Sequence, residues 1–312
     1  MPVILAQQGG FSQHYRYTTI GMASPYAKKW LYYADILNDE RGTTAFFFPT
    51  LAETENRVIC LTDPGSEKPF MVLVSNLVPD LHLVGAGAGT GSFPYYAYSE
   101  DGANRRENIT DWALSQFQTK YGSEVTKWHI FYYVYAMLHH PQYRERYTDN
   151  LKRDLPHIPL LHRKDAFLAC VRIGKQLMDM HLGYEQAKEY PLKWIENRDV
   201  PFSWRVEKMR LTPDKTAVIV NESLTLSGIP QECFQYRLGN RSTLDWIIDQ
   251  YQVSEDKRSG IVSDPNNLDD EEYIMRLVRK VITVSVDTVR LVNELAQSVK
   301  MEDWMNEAME VN

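Results

Sequence analysis

The side chains best placed for chemistry in this chain are cations beside aromatic or amide residues in short strands and turns. Lys28–Trp30 is one such group, Arg105–Arg106 is a second, and Asn240–Arg241, directly after Gly239, is a third. Arg and Lys pair with phosphate and with guanine, whereas Asn pairs with adenine. These groups therefore predict contact with a nucleic acid more readily than they predict catalysis.

A longer basic segment lies between residues 131 and 160. It opens as an aromatic helix, becomes rich in Arg, Lys and Tyr after Pro141, and ends at Ile158-Pro159. Residues 144–175 hold 8 basic and 4 acidic side chains, although the net charge of the chain is −7. We expect the aromatic half to be core and the Tyr143–Arg153 half to contact a polyanion. A solvated surface of mixed charge is the alternative for this second half.

The glycine-rich run GAGAGTG at Gly85–Gly91 follows a predicted strand and is the strongest candidate for a phosphate or cofactor cradle. It lacks the spacing of the dinucleotide motif, because Thr90 and Ser92 stand where glycine is required. It also lacks the P-loop lysine, and a strand-like stretch follows it instead of a helix. We expect a turn here, close to the backbone of a ligand.

The histidines and cysteines form no metal or redox pattern. His139-His140 has neither ligand spacing nor an acidic partner, and Cys60, Cys170 and Cys233 are far apart without a CxxC motif. Free cysteines suit a reducing cytoplasm, and we see no apolar run that would cross a membrane and no secretion signal. We therefore expect no catalytic residue, no cofactor and no metal in this chain, and a cytoplasmic location.

The element pattern predicts a mixed α/β (α+β) fold. It comprises a β-rich recognition lobe at 1–107, a helical subdomain at 108–198, and an α+β subdomain at 199–312 with a hairpin and a long, acidic-ended helix. The predicted strands are 30–33, 57–62, 69–75, 81–84, 205–211, 216–220 and 234–238. The predicted helices are 110–121, 124–139, 141–152, 165–182, 242–250 and 271–297. Thr110 is the predicted N-cap of the first, which Gly122 ends, and Ser242 is that of the fifth, with Asp245 at the reciprocal capping position.

Read in order, several segments resemble the C-terminal specificity region of type ISP restriction–modification enzymes. They are PYAKKWLY (25–32), NRVIC (56–60), PDLH (79–82), FPYYAY (93–98), residues 133–159, IP (229–230) with FQY (234–236), SGIV (259–262) and DPN (264–266). The likeness runs from about Met22 to Leu295. One departure is Ser24, where the family usually has Arg, so no role of that Arg is carried over.

Enzymes of that family join a nuclease, an ATP-driven helicase-like motor, an adenine methyltransferase and a target recognition domain in one chain. The present sequence shows no Walker motif, no nuclease carboxylate and lysine set, and no methyltransferase NPPY motif. The resemblance therefore implies a non-catalytic module of phage defence that recognises a specific sequence in double-stranded DNA. Methylation and cleavage would be performed by methyltransferase and helicase–nuclease modules elsewhere.

This reading assigns two kinds of contact. The residues expected to contact phosphates, and so to fix register, are Lys28, Lys29, Arg144, Arg146, Lys152 and Arg153. The residues expected to read bases are Arg57, Arg105, Arg106, Asn240 and Arg241, and Trp30 is expected to support the first group.

Two other functions stay open on the sequence alone. The chain could be a fragment of a divergent DNA methyltransferase that holds S-adenosylmethionine at Gly85–Gly91. It could also be an interaction module that docks through its apolar helices and binds no DNA.

Overall fold

The computed structural model describes residues 18–32, 46–49, 55–83, 85, 88–99 and 101–304. The chain forms two compact units. The first unit holds the described residues within 1–23, 28–182 and 290–312, and the second holds residues 24–27 and 183–289. Both units contain helices and small sheets, so the predicted mixed α/β class is confirmed. Separate domains at 1–107, 108–198 and 199–312 would require independent folding of each part, and that division stays a prediction.

The described strands before residue 108 form three small sheets. In chain order they are β1 (Thr18–Ser24), β2 (Ala27–Tyr32), β3 (Val58–Thr62), β4 (Val72–Ser75), β5 (Val78–Pro79), β6 (Thr90–Pro94), β7 (Tyr96–Ala97) and β8 (Arg106–Glu107). One sheet has the order β2-β1-β5 with β1 and β5 parallel, another has the antiparallel order β4-β3-β6, and β7 pairs with β8. All five residues of β3 are buried, as expected for a central strand covered on both faces.

Five helices follow in the first unit, and the first of them has a side-chain N-cap and a glycine stop. They are α1 (Asp111–Tyr121), α2 (Lys127–His139), α3 (Pro141–Arg146), α4 (Asn150–Arg153) and α5 (Lys164–Leu182). The hydroxyl of Thr110 accepts a hydrogen bond from the Ala113 amide, and α1 stops at Gly122, whose φ of 121° suits glycine. The predicted cap and stop of α1 are confirmed.

Helix α2 forms the centre of the core of the first unit. Phe131, Tyr135 and Leu138 are buried in it, which confirms that the aromatic half of the 131–160 segment is core. Helix α5 crosses it closely at Gly174, where a Cβ atom would lie 2.0 Å from the Tyr132 carbonyl oxygen. Only glycine permits that approach, so Gly174 sets the distance between the two helices.

The second unit contains a four-stranded sheet and two short strand pairs. Its strands are β9 (Lys193–Glu196), β10 (Arg210–Leu211), β11 (Ala217–Ile219), β12 (Leu224–Ser227), β13 (Arg237–Leu238), β14 (Arg241–Ser242), β15 (Ser254–Glu255) and β16 (Val262–Ser263). The sheet is antiparallel in the order β10-β11-β12-β9, and the pairs are β13–β14 and β15–β16. Its helices are α6 (Thr243–Gln250) and α7 (Tyr273–Ser298), and the residues of α7 from Arg290 onward belong to the first unit. The predicted capping box of Ser242 and Asp245 is confirmed.

The single helix predicted over 141–152 is wrong, because the structure has two short helices there. Helix α3 ends at Arg146, and the Thr148 hydroxyl bonds to the carbonyl oxygens of Arg144 and Glu145 at 2.7 and 2.9 Å. A threonine that binds the preceding backbone in this way competes with continued helix formation. Helix α4 then restarts at Asn150.

Several predicted strands are shorter than expected or replaced by turns, and of 69–75 only β4 forms. Residues 81–83 form a turn, because the Asp80 carboxylate and carbonyl accept from the amides of His82 and Leu83 at 2.7 and 3.1 Å. The 205–211 strand keeps only β10, since Asn266 takes both backbone groups of Val206. The 234–238 strand keeps only β13, after a 3₁₀ turn over 231–234. Tyr33, Val84, Ala86 and Gly87, which belong to predicted features, lie outside the described residues.

Candidate nucleic-acid interface

Arg144, the first predicted phosphate contact of the basic segment, is held inside the first unit. Its guanidinium donates to the Phe70 carbonyl oxygen at 2.7 Å and lies 5.5 Å from the centre of the Phe70 ring. A charged hydrogen bond and a cation–π contact together fix α3 against the residues that precede β4. Arg144 therefore positions the basic segment.

The other three cations of the basic segment face solvent. Arg146 and Arg153 are exposed, and so is Lys152, whose ammonium lies 3.2 Å from the Asp149 carboxylate. An exposed pair of this kind contributes little to stability, so the lysine can exchange its partner at small cost. A phosphate oxygen of DNA can replace Asp149 as the partner of this lysine. The release of the counterions that surround the phosphates favours the exchange.

Tyr143 and Tyr147 give the basic segment its fixed shape. Tyr143 is buried and its hydroxyl donates to the His157 carbonyl oxygen at 2.9 Å; burial raises its pKa, so the donor stays protonated. The two rings lie 5.0 Å apart and line a cavity of about 390 Å³ together with residues 154–159. The loop after α4 is thereby tied to α3.

Arg57, a predicted base reader, is engaged at the edge of the core. Its guanidinium lies 2.8 Å from the Asp179 carboxylate and 5.4 Å from the ring centre of Trp128. Lys175 contacts the same carboxylate at 2.5 Å, and the Trp128 ring stacks on Tyr95. Asp179 thus neutralises part of the charge that Arg57 would offer to DNA.

Arg105 and Arg106 lie at an open cleft of about 750 Å³. Arg105 is exposed, lies 4.6 Å from the centre of the Tyr96 ring and 3.2 Å from Glu55, and its pKa is raised, first by its electrostatic interaction with Tyr96. Asn104, at a φ of 52°, turns the chain so that both arginines follow on the rim. The other lining residues are Phe46, Tyr98, Ser99 and Asp101.

The Lys28–Trp30 group lies on strand β2. Both lysines are half-buried, and the exposed fraction of Trp30 is 41%, whereas the next residue, Leu31, is buried. This alternation is what a strand with one solvated face produces. Lys28 and Trp30 thus share the more solvated face of β2, whereas Lys29 lies on the face of Leu31.

Asn240 and Arg241 belong to the second unit, at the turn between β13 and β14. Gly239 makes the turn with a φ of 67°, and Asn240 is exposed. The Arg241 guanidinium lies 2.8 Å from Asp249 and 5.1 Å from the ring centre of Trp246. The Arg241 guanidinium is therefore held in one orientation before any ligand binds.

The buried histidines of the first unit act as core residues. His139 Nδ1 donates to the Tyr135 carbonyl oxygen at 2.8 Å, and His181 Nδ1 lies 2.7 Å from the Tyr135 hydroxyl. Burial lowers the pKa of His139 to about 3 and that of His181 well below its ordinary value, so both rings are neutral. Within the described part of the chain, no three His, Cys, Asp or Glu side chains are arranged to hold a metal ion.

A family model described as the type ISP C-terminal specificity domain matches residues 12–277. The chain belongs to this family. The resemblance stated from the sequence is therefore confirmed.

Three solved structures are similar to this specificity domain over nearly its whole length. A nuclease-deletion mutant of the type ISP restriction–modification enzyme LlaGI, in complex with a DNA substrate mimic, is 37% identical over 93% of the chain with a TM-score of 0.75. A DrdV–DNA complex is 34% identical over 91%, with a TM-score of 0.79. The ATP-dependent type ISP enzyme LlaBIII bound to DNA is 31% identical over 92%, with a TM-score of 0.80.

The specificity domain spans only part of these relatives, namely 25% of the LlaGI chain, 29% of the DrdV chain and 19% of the LlaBIII chain. No curated protein matches it. None of its described helices is both long and apolar enough to cross a membrane.

Ten of the twelve predicted site residues lie in the first unit of the specificity domain, and Asn240 and Arg241 lie in the second. The structure gathers Arg146, Lys152 and Arg153 on one segment and Arg105 with Arg106 on one cleft. Sequence reasoning missed the cleft residues Phe46, Tyr98 and Asn104. The tyrosine-rich run at 93–98 was a signal for Tyr98, whereas nothing in the sequence pointed to Phe46.

Proposed function

We propose that this specificity domain binds double-stranded DNA and selects a short target sequence. The observation that carries the proposal is its match to the type ISP specificity family over residues 12–277, together with solved relatives that are DNA complexes. Their identities of 31–37% are high enough for the likeness to extend beyond the fold.

The geometry supports a division of labour among the predicted contacts. Exposed cations of α3 and α4 offer charge without fixed direction, which suits phosphates and sets register. The guanidinium groups of Arg105 and Arg241 are oriented by aromatic rings and carboxylates, which suits base edges. Lys28, Lys29 and Trp30 would extend the phosphate contacts on β2.

Methylation and cleavage are proposed to belong to methyltransferase and helicase–nuclease modules of the same system. The glycine-rich run leads directly into β6, so it offers no helix N-terminus to a cofactor phosphate or carboxylate. Cys60, Cys170 and Cys233 are free and buried, which suits a reducing compartment, and the cytoplasm is the proposed place of action.

The experiment is a selection from a randomised duplex pool, followed by fluorescence anisotropy with selected and random duplexes from about 50 to 200 mM salt. We expect one short motif to be enriched and to bind at least about a thousandfold more tightly than random duplexes. Equal affinity for the two duplexes would contradict target recognition.

A charge-matched pair of triple variants sharpens this experiment. Replacing Arg146, Lys152 and Arg153 by Ala should weaken binding to every duplex and flatten the salt slope. The control replaces Lys188, Lys193 and Arg198, three exposed cations of the second unit. It should change the affinity and the salt slope by less than the first variant does.

Two outcomes would favour the alternative functions. Heat released on titration with S-adenosylmethionine would favour the methyltransferase alternative, and no binding to any duplex would favour the interaction module.

A further inference from the structure

The turn that follows β3 is tied on both sides to parts of the proposed interface. The Asp63 amide donates to the Gly89 carbonyl oxygen at 3.1 Å, which extends the β3–β6 ladder by one bond. Two residues on, the Gly65 amide donates to the Lys152 carbonyl oxygen at 2.6 Å. The turn thus joins the glycine-rich segment to the end of the basic helix α4.

The Asp63 carboxylate lies across two glycines of the glycine-rich segment. A Cβ atom at Gly89 would lie 2.3 Å from Asp63 Oδ2, and one at Gly91 would lie 2.8 Å from Oδ1. Real Cβ atoms do not approach other atoms so closely. The glycines at positions 89 and 91 are therefore explained by the room that this carboxylate needs.

The same carboxylate has no partner of its own. Neither oxygen accepts a hydrogen bond or forms an ion pair with any residue in the described part of the chain. In contrast, the carboxylates of Asp80, Asp214 and Asp256 accept bonds from their own turns. An ionised carboxylate only accepts, at about four lone-pair positions, so Asp63 has its full capacity free for an external donor.

The surroundings define what kind of donor fits. Asp63 is half-buried, and the glycines beside it bring no side chains, so a flat group can approach edge-on. Lys152 and Arg153 lie on the helix that the turn contacts, so this part of the first unit also carries cations that would offset repulsion between the carboxylate and phosphates. A metal ion is a poorer occupant, since no second carboxylate, His or Cys completes a site among the described residues.

We infer that Asp63 is a specificity-determining residue that accepts a hydrogen bond from the exocyclic amine of a target base in the major groove. The amine-bearing edges are N4 of cytosine and N6 of adenine, whereas guanine and thymine present only acceptors at the equivalent positions. The carboxylate thus favours cytosine or adenine at one position and repels the other two bases. This inference rests on the proposed function, because it needs a DNA target.

The test uses the 312-residue chain and compares Asp63→Ala with Glu67→Ala. Both variants remove one negative charge from the same turn region, but Glu67 is exposed and has no contact with the glycine pair. Each protein is taken through the duplex selection, and affinity is then measured for the wild-type motif with each of the four base pairs at every position.

We expect Asp63→Ala, which removes the acceptor, to lose about tenfold in discrimination at one base pair of the wild-type motif, with other positions unchanged. Glu67→Ala should keep the wild-type preference at all positions. Gly89→Ala, whose new methyl group would displace the carboxylate, should reproduce the Asp63→Ala profile while its thermal unfolding stays cooperative.

Analogues lacking the exocyclic amine separate the two bases. Replacing the selected adenine by purine, or the selected cytosine by pyrimidin-2-one, should cost wild-type protein the same factor as the mutation, and cost Asp63→Ala little. If Asp63→Ala retains the full wild-type preference, or if removing the amine at the affected base pair costs the wild-type protein nothing, the inference is wrong although target recognition stands. If wild-type protein enriches no motif at all, the proposed function itself fails.

Discussion

Helix α2 and the α3–α4 segment are consecutive in sequence and both rich in tyrosine, yet the first unit uses them in opposite ways. Eight of the 13 residues of α2 are buried. In α3 and α4 the buried residues are Tyr143 and Leu151, and most of the others are exposed. The difference teaches that the spacing of apolar residues, more than the share of aromatics, decides which part becomes core.

The same comparison separates polar groups by their partners. His139 at the end of α2 is buried and neutral, and Arg144 in α3 is bound to a carbonyl oxygen, whereas Arg146, two residues later, is exposed. Two arginines on one short helix thus have different tasks. One stabilises the fold, and the other is available to a ligand.

The largest expected effect is on the core side of the comparison. Leu138→Ala removes a side chain with an exposed fraction of 1% from the main cluster, and we expect the free energy of unfolding to fall by about 2–5 kcal/mol. Leu155→Ala is the control, because Leu155 is 49% exposed and lies after α4, and its loss should stay within about 0.5 kcal/mol. Urea denaturation measures both, and equal losses would remove the distinction between the two segments.

Local rules in the sequence predicted one part of this structure well. The caps at Thr110 and Ser242 and the long helix α7 depend on residues a few positions apart, so the sequence contains the whole signal. The local sequence could not show that most of the predicted 205–211 strand is absent. The hydrogen bonds that replace its strand pairing come from the side chain of Asn266, about sixty residues further along the chain. Tertiary partners overrode a correct local preference.

The candidate site divides along the same line. Exposed cations such as Arg146 and Arg153 could be proposed from composition, since charge on a surface helix needs no partner to be recognised. The engagement of Arg57 by Asp179 and the placement of Asp63 on Gly89 could not, because each depends on a contact between distant parts of the chain. Such contacts decide which of the predicted residues are free to bind.

The second expected effect is a pH dependence that arises in α2. An unperturbed histidine titrates near 6.5, whereas burial lowers the pKa of His139 to about 3 in the folded chain. Between these values only the unfolded chain takes up the proton, so the free energy of unfolding falls by about 1.4 kcal/mol per pH unit as pH drops below 6.5. His139→Leu should reduce this slope between pH 6.5 and 4.5. His157→Gln, at an exposed position beyond α4, should leave it unchanged.

The third effect separates the two arginines of α3. Arg144→Ala should lower the free energy of unfolding by about 1–3 kcal/mol, because it leaves the Phe70 carbonyl without its charged donor and removes the cation–π contact. Arg146→Ala should leave stability within about 0.5 kcal/mol of wild type. Thermal or urea unfolding of the two variants decides, and equal stabilities would show that Arg144 does not position the segment.

The smallest effect is the one closest to function. Arg153→Ala removes one exposed cation from α4, and we expect the slope of log K against log salt to become shallower by about 0.9 for a single lost phosphate contact. Affinity should fall by a similar factor for selected and random duplexes, since a phosphate contact carries no base information. Arg105→Ala, at the cleft, should instead weaken binding to the selected motif more than to random duplexes. If the two variants behaved alike, the basic segment would not serve for phosphate contacts and the cleft for base contacts. The difference between the exposed cations of α4 and the oriented guanidinium of Arg105 would then have no functional meaning.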